Sequence, residues 1–507
     1  MRKTMRIKLV LILISLGIYN IVSSQTLKGE RFFVQENQES FHYTDLSDDG
    51  NVVAIASPLD DNINGVDAGS VSVYQWDGSI WQQFGSTIYG NLTDVNCGSG
   101  IDNYSGDYFG SRVSLNHDGT IIAISGPSCD SESEPGYAKI FQLQNNDWVQ
   151  LGSDINDTGD VLQGNGSWEG RPTVVKLNGN GTILAIGNNT INSAKGHIKV
   201  FEYTNNNWTQ VGDPISGDEE QDQFGNYFEI NDSGTIIVTG TPGASGSKGE
   251  VKVYERIEEN WNQLGQTITS DIANSGVGKS VNINNQGNFI AVSTDKIDGT
   301  NPAISSVSAF KLVNGNWSQV GNAIIAEQEE NRFGLNLDIN SDGTFMIITS
   351  SHHNNSSETK IGKVTFYSLQ NDTWELTGNK LFGNDTNSYF GLNAALSGCD
   401  NTVSIVAQLF LEVYDITEIS PTSIICSTLS LNENTLDVSI YPNPTLDIVF
   451  IEGVNTELEA VVFDFLGKQV MREFIIDKID ISHLEKGAYI INLTDGINIS
   501  TYKIIKN

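Results

Sequence analysis

The chain has 507 residues, of which 50 are glycine, with only 18 % charged residues and a formal net charge of −34. So acidic a surface repels phosphate backbones and excludes nucleic acid as a partner. The glycine-rich, sparsely charged mixture suits a β-rich exported protein of more than one domain and argues against a helical one.

The first residues carry Arg2, Lys3, Arg6 and Lys8, then the apolar run Leu9 to Val22 and the small residues Ser23 and Ser24. A basic start, a short apolar core and a small-residue exit describe a secretory signal peptide over residues 1–24. Its removal takes four cations and no acid, moving the charge from −34 to −38. No later run approaches the ~20 apolar residues a membrane-spanning helix needs, so no transmembrane segment is expected in the mature chain.

Residues 25–416 repeat one text. Trp81, Trp148, Trp208, Trp261, Trp317 and Trp374 share a register, each followed four residues later by a glycine (Gly85, Gly152, Gly212, Gly265, Gly321, Gly378). Phe-Gly pairs open copies at Phe109, Phe224, Phe333 and Phe390, with Val277-Gly278 a softened version. A polar turn recurs as Asp49-Gly50, Asp118-Gly119, Asn180-Gly181, Ser233-Gly234, Gln286-Gly287 and Asp342-Gly343, and as Asp400-Asn401 in the seventh copy. Glycine, and less often asparagine, accepts the positive φ of tight hairpins. The strand after each turn is continuously apolar, as in Val52 to Ala56 or Ile121 to Ser125, which predicts burial on both faces. The third strand alternates, as in Val251 and Val253 against Lys252 and Tyr254, which places it nearer a wetter rim.

A four-stranded unit of this kind cannot bury both of its faces alone, whereas seven in a ring can. The seventh copy lacks its tryptophan strand, and an unassigned apolar piece, Leu27 to Val34, precedes the first. The expected fold is therefore all-β: a seven-bladed β-propeller with an N-terminal strand closing the last blade, followed by a small C-terminal β-sandwich. The repeated Phe-Gly, Gly turn, apolar strand and Gly-Pro or Thr-Pro ending (Gly126-Pro127, Thr241-Pro242) resemble the FG-GAP repeats of integrin α-subunit propellers. Calcium-binding members of that family place an Asp three residues after the turn glycine. Here the slot holds Ile122, Ile237 and Met346, which offer no oxygen to a hard cation, so neither calcium nor any cofactor is expected.

A Ser/Thr/Asn-rich linker at 417–437 leads into residues 438–507, where seven short strand patterns suit a small sandwich. This tail resembles the type A C-terminal sorting domain of the Bacteroidetes type IX secretion system. The resemblance rests on Tyr441-Pro442-Asn443-Pro444, Phe465-Leu466-Gly467-Lys468, Gly487, Tyr489 and the basic finish Lys503 and Lys506. It implies handling by that machinery and a protein that is secreted or attached to the outer-membrane surface.

Four cysteines allow three pairings. Cys97 and Cys129 both lie in insertions around the second repeat, which favours that pair and leaves Cys399 to tie Cys426 to the last repeat; four free thiols are the alternative. No nucleophile elbow, zinc-protease helix, phosphate loop or dinucleotide fingerprint occurs. Regular Trp and Phe-Gly positions read as packing residues. Aromatics outside that register, Trp168, Tyr104, Tyr108 and Tyr389, sit in connections between repeats and are the candidates for ligand contact. The expected function is a non-catalytic, adhesive binding module for an extracellular protein or glycan. The alternatives are a glycan-active hydrolase or lyase, with its acids hidden among loops such as Asp218 to Asp222, and a passive spacer.

Overall fold

The computed structural model describes residues 25–33, 43–90, 108–126, 136–156, 174–189, 195–295, 305–327, 332–355, 357–419, 439–441, 445, 447–452, 458–464, 469–476, 478–484, 486–494 and 499–506. The candidates Tyr104, Trp168, Cys97, Cys129, Cys426, Pro442, Asn443, Pro444 and Gly467 lie outside them, as do the signal peptide and the linker core. The chain divides into two compact units, Met1–Cys426 and Ser427–Asn507.

Among its described residues the larger unit holds seven small antiparallel sheets, each of four or five strands taken almost entirely from one copy of the repeat. In the first, Tyr43–Leu46, Val52–Ser57, Ser70–Trp76 and Trp81–Gln83 lie in chain order from the inner strand outward. As the apolar run predicts, every residue of Val52–Ser57 is buried, and so is every residue of Ile121–Gly126 and Phe345–Ser350. The third strand Glu250–Ile257 alternates until its outer end is exposed.

The polar turn between inner and second strands is closed by one repeated device. Asn116, Asn178, Asn231, Asn284 and Asn340 each accept through Oδ1 the backbone N–H that starts the next strand, at 2.8–2.9 Å. Ser47 and Ser397 do the same through Oγ in the first and seventh copies, both at 2.9 Å. The turn glycine has a second reason to be glycine. Gly119 has φ +69°, and a Cβ there would stand 2.6 Å from Cβ of Val52 in the neighbouring sheet.

Tryptophan joins neighbouring sheets. The Trp148 indole donates to the Phe84 carbonyl at 2.8 Å and lies where a side chain on Gly85 would have to be, 2.6 Å from its Cδ1. Trp208 repeats the contact on Leu151 and Gly152, and Trp317 on Leu264 and Gly265. The Trp-to-Gly spacing is thus a lock between one copy and the next, more than packing within one copy. In the seventh sheet, which has no tryptophan, Ile419 takes the seat on Gly378.

The N-terminal segment completes the seventh sheet. Thr26–Leu27 and Phe32–Phe33 both pair with Phe410–Asp415, whose other neighbour is Thr402–Val406. Between those two pieces, Lys28 offers its carbonyl to the Trp81 indole (2.7 Å) and Gly29 provides the flat seat. Trp81 of the first sheet therefore locks onto the N-terminal segment in the way that Trp148 locks onto the first sheet. Across the same junction, Thr44 bonds Asn393 and Ser404, and one core joins Leu46, Val53 and Ile55 to Val406, Leu411 and Val413.

In the smaller unit, a three-stranded sheet (Ser439–Tyr441, Ile448–Glu452, Lys478–Asp480) and a four-stranded one enclose a core of Val449, Val462, Ile479, Tyr489, Ile491 and Ile504. Tyr489 is buried, Gly487 starts the strand pairing with Ile499–Lys506, and Tyr441 stays half exposed against the Phe450 ring. Lys506 is not a displayed charge: its ammonium donates to the carbonyls of Ile481, Ser482 and Leu484 at 2.6–2.8 Å.

Candidate active site

Inner strands of all seven sheets come together, and backbone hydrogen bonds link their turns in sequence. Asp48 donates to His117, His117 to Gly179, Gly179 to Asp232 and Asp232 to Asn285; Ser341 donates to Gly398, and Cys399 returns to Asp48. Above this belt the side chains of Asp48, His117, Asp232 and Asn285 meet, although they come from four different sheets. His117 Nδ1 lies 3.1 Å from Asp48 Oδ2 and 3.4 Å from Asp232 Oδ1, and Asn285 reaches Asp48 Oδ2 at 3.4 Å. Burial lifts Asp48 to about 6, against the pull of His117 and the Asn285 hydrogen bond.

Two residues before each capping Asn or Ser, the copies present Asp45, Ser114, Lys176, Glu229, Asn282, Asp338 and Ala395. Three of these, Asp45, Lys176 and Asp338, come from the first, third and sixth sheets yet act on one another electrostatically. Lys176 pairs directly with Glu229. Burial raises Asp45, with Lys176 and the Leu115 and Leu46 amides opposing. Burial also lifts Asp338 to about 7, although the Leu396 amide (2.8 Å) and Lys176 favour its charged form and Asn282 donates to it at 2.7 Å. The same burial draws the Lys176 ammonium below its ordinary range, with Asp45 and Asp338 pulling it back. Its side chain keeps 32 % of its surface open, so the ammonium stays within reach of solvent and of a small ligand.

A lysine enclosed with carboxylates whose proton affinities are displaced toward neutrality can transfer protons and steady developing negative charge. None of these residues carries a motif. The signal that could have found them is the inverse of repetition: positions where otherwise regular copies hold unlike polar groups.

The earlier ligand candidates sit elsewhere. Tyr108 and Tyr389 both precede a Phe-Gly pair, the first where sheets one and two meet and the second where sheets six and seven meet. Tyr389 packs against His352, ring centroids 5.0 Å apart, and accepts a 3.1 Å hydrogen bond from Lys360. Cys399 is disulfide-bonded.

Residues 439–507 match the family described as the secretion system C-terminal sorting domain. No curated protein matches the chain. Solved structures similar to this chain include a protein of Bacteroides uniformis named provisionally as a 6-phosphogluconolactonase and the periplasmic gluconolactonase of Pseudomonas aeruginosa. Each is 14 % identical, with a TM-score of 0.44, and the match covers 68 % of this chain and 85 % of the other. The sorting domain makes this a secreted or cell-surface-attached protein handled by type IX secretion. The expectation of a non-catalytic protein is corrected: both similar structures are named as enzymes.

Proposed function

We propose that the protein is an exported hydrolase acting on sugar-derived material, with its chemistry in the channel enclosed by the inner strands. In this reading the seven sheets are blades of a closed, FG-GAP-like propeller, residues 1–24 are the export signal, and 417–437 is a linker to the sorting domain. The observation that carries the chemistry is the set Asp45, Lys176, Glu229 and Asp338 at one level of otherwise repeating strands. Asp338, with its proton affinity near neutrality, gives a proton to the leaving oxygen as water adds to the other side of the broken bond; the proton that this water sheds passes to solvent, from which the Asp338 carboxylate is reprotonated. Lys176 stabilises the negative charge that develops, and Asp45 and Glu229 hold Lys176 in place.

The test is product release by the secreted mature chain from a panel of neutral and acidic polysaccharides and an aldonolactone. Turnover with a pH limb near 7, falling at least 100-fold in Asp338→Asn and in Lys176→Met while circular dichroism is unchanged, is the expected result. No turnover on any member of the panel, or full activity in both variants, overturns it.

A further inference from the structure

The junction of sheets six and seven gathers charge of the sign this protein otherwise lacks. His352 lies in the loop after Phe345–Ser350, Lys360 ends that loop, Arg332 opens sheet six, and Tyr389 opens sheet seven. The Lys360 ammonium is 5.3 Å from the Tyr389 ring centroid and donates to its hydroxyl, leaving the phenolic proton for another acceptor. Ser351 Oγ lies 3.2 Å from His352 Nδ1. Burial holds His352 down to about 4, helped by Arg332 and Lys360, so its ring is neutral and can donate or accept near pH 7.

Nearby, Lys363 and Lys380 both pair with Glu327. Among the described residues, neither Arg332 nor Lys360 has a carboxylate partner. With 62 acids against 28 cations in the chain, two cations that act together on the His352 ring and have no carboxylate partner among the described residues are the reverse of what composition alone would place there.

Backbone geometry adds an independent observation. The residue before each of the four Phe-Gly pairs is left-handed: φ is 50° at Tyr108, 58° at Gln223, 60° at Arg332 and 51° at Tyr389. The fifth copy fills this position with Gly276 at φ 59°, which is the unstrained choice. Tyr108, Gln223, Arg332 and Tyr389 all hold that conformation with large side chains, so it belongs to the repeat and fixes how the side chain at this position projects in each copy, Arg332 and Tyr389 included.

We infer that this junction is a binding subsite for a single anionic sugar residue, one bearing a carboxylate or a sulfate. Arg332 and Lys360 face the anion, and the Tyr389 hydroxyl and neutral His352 serve the hydroxyls. A long polyanion does not fit, because the net charge of −34 repels it beyond the ~8 Å over which salt leaves local attraction dominant. The readout is binding, so the subsite stands or falls separately from the axial chemistry.

The experiment titrates the full secreted chain with glucuronate, glucose sulfate and glucose, following affinity by calorimetry and the His352 imidazole by NMR. The expected result is binding of one or both anionic sugars, an upward shift of the His352 titration on binding, and at least a tenfold loss in Arg332→Gln/Lys360→Gln. The two anionic arms separate carboxylate from sulfate. In the unliganded double variant His352 also titrates higher, which shows that the variant is folded and that both cations face the ring. Equal binding of glucose, no binding of either anion, or undiminished binding by the double variant overturns the inference.

Discussion

Asp338 shows how one residue's surroundings set its chemistry. Two backbone amides and a neighbouring ammonium favour its ionised form, yet enclosure wins and the proton is held to about 7. The native state therefore binds more protons than the unfolded chain between about pH 4 and 7, so this group's contribution to stability declines as pH rises through that window and is flat above it. The decline is on the order of 2 kcal/mol once water in the channel is allowed for. In melting experiments from pH 4 to 8, Asp338→Asn is expected to flatten the fall in stability seen in the parent chain. An unchanged slope would show that Asp338 is ionised throughout. Nothing around Asp338 in the sequence announces this, since its neighbours Leu337 and Ile339 look like those of any inner strand.

At the scale of the element, the repeat's tryptophans make a sharper statement than burial alone. Trp148 and Trp374 are equally buried at 8 %, but the Trp148 indole has its carbonyl partner while the Trp374 Nε1 has none. Changing either to Phe removes similar ring volume, so the difference between the two variants isolates the hydrogen bond. Trp148→Phe is expected to lower stability by about 1 kcal/mol more than Trp374→Phe in matched denaturant titrations, because only the first leaves a buried carbonyl unsatisfied. Equal losses would assign the motif to packing alone. The strands and turns were legible because period-2 alternation and turn glycines are local signals repeated many times. The lock was half legible: the Trp-to-Gly spacing is visible, but that its two ends touch different copies is not.

At the scale of the whole molecule, the segment 25–33 joins the first copy of the repeat to the last. Arg31 pairs with buried Glu412 (Nε to Oε1, 2.8 Å) and lies over the Phe410 ring, while Lys28 bonds Gly50, Asn51 and Thr402. Deleting 25–33 leaves Glu412 buried without its cation and Trp81 without its seat, and should lower stability by about 3 kcal/mol or more. A synthetic peptide of those nine residues added to the truncated chain should restore part of the melting temperature; no loss on deletion would sever the segment from the fold. By itself the sequence determined the all-β class, the repeating hairpins, the spare apolar piece at the start and the export address at the end, because each is written in contiguous residues whose spacing answers to backbone geometry. Only the tertiary structure decided that Asp45, Lys176 and Asp338 act on one another and that Lys360 and His352 meet at Tyr389. Their proximity depends on bringing together segments separated by up to 293 residues (Asp45 to Asp338), and alternation along a strand says which way a side chain faces but not which distant side chain it will meet.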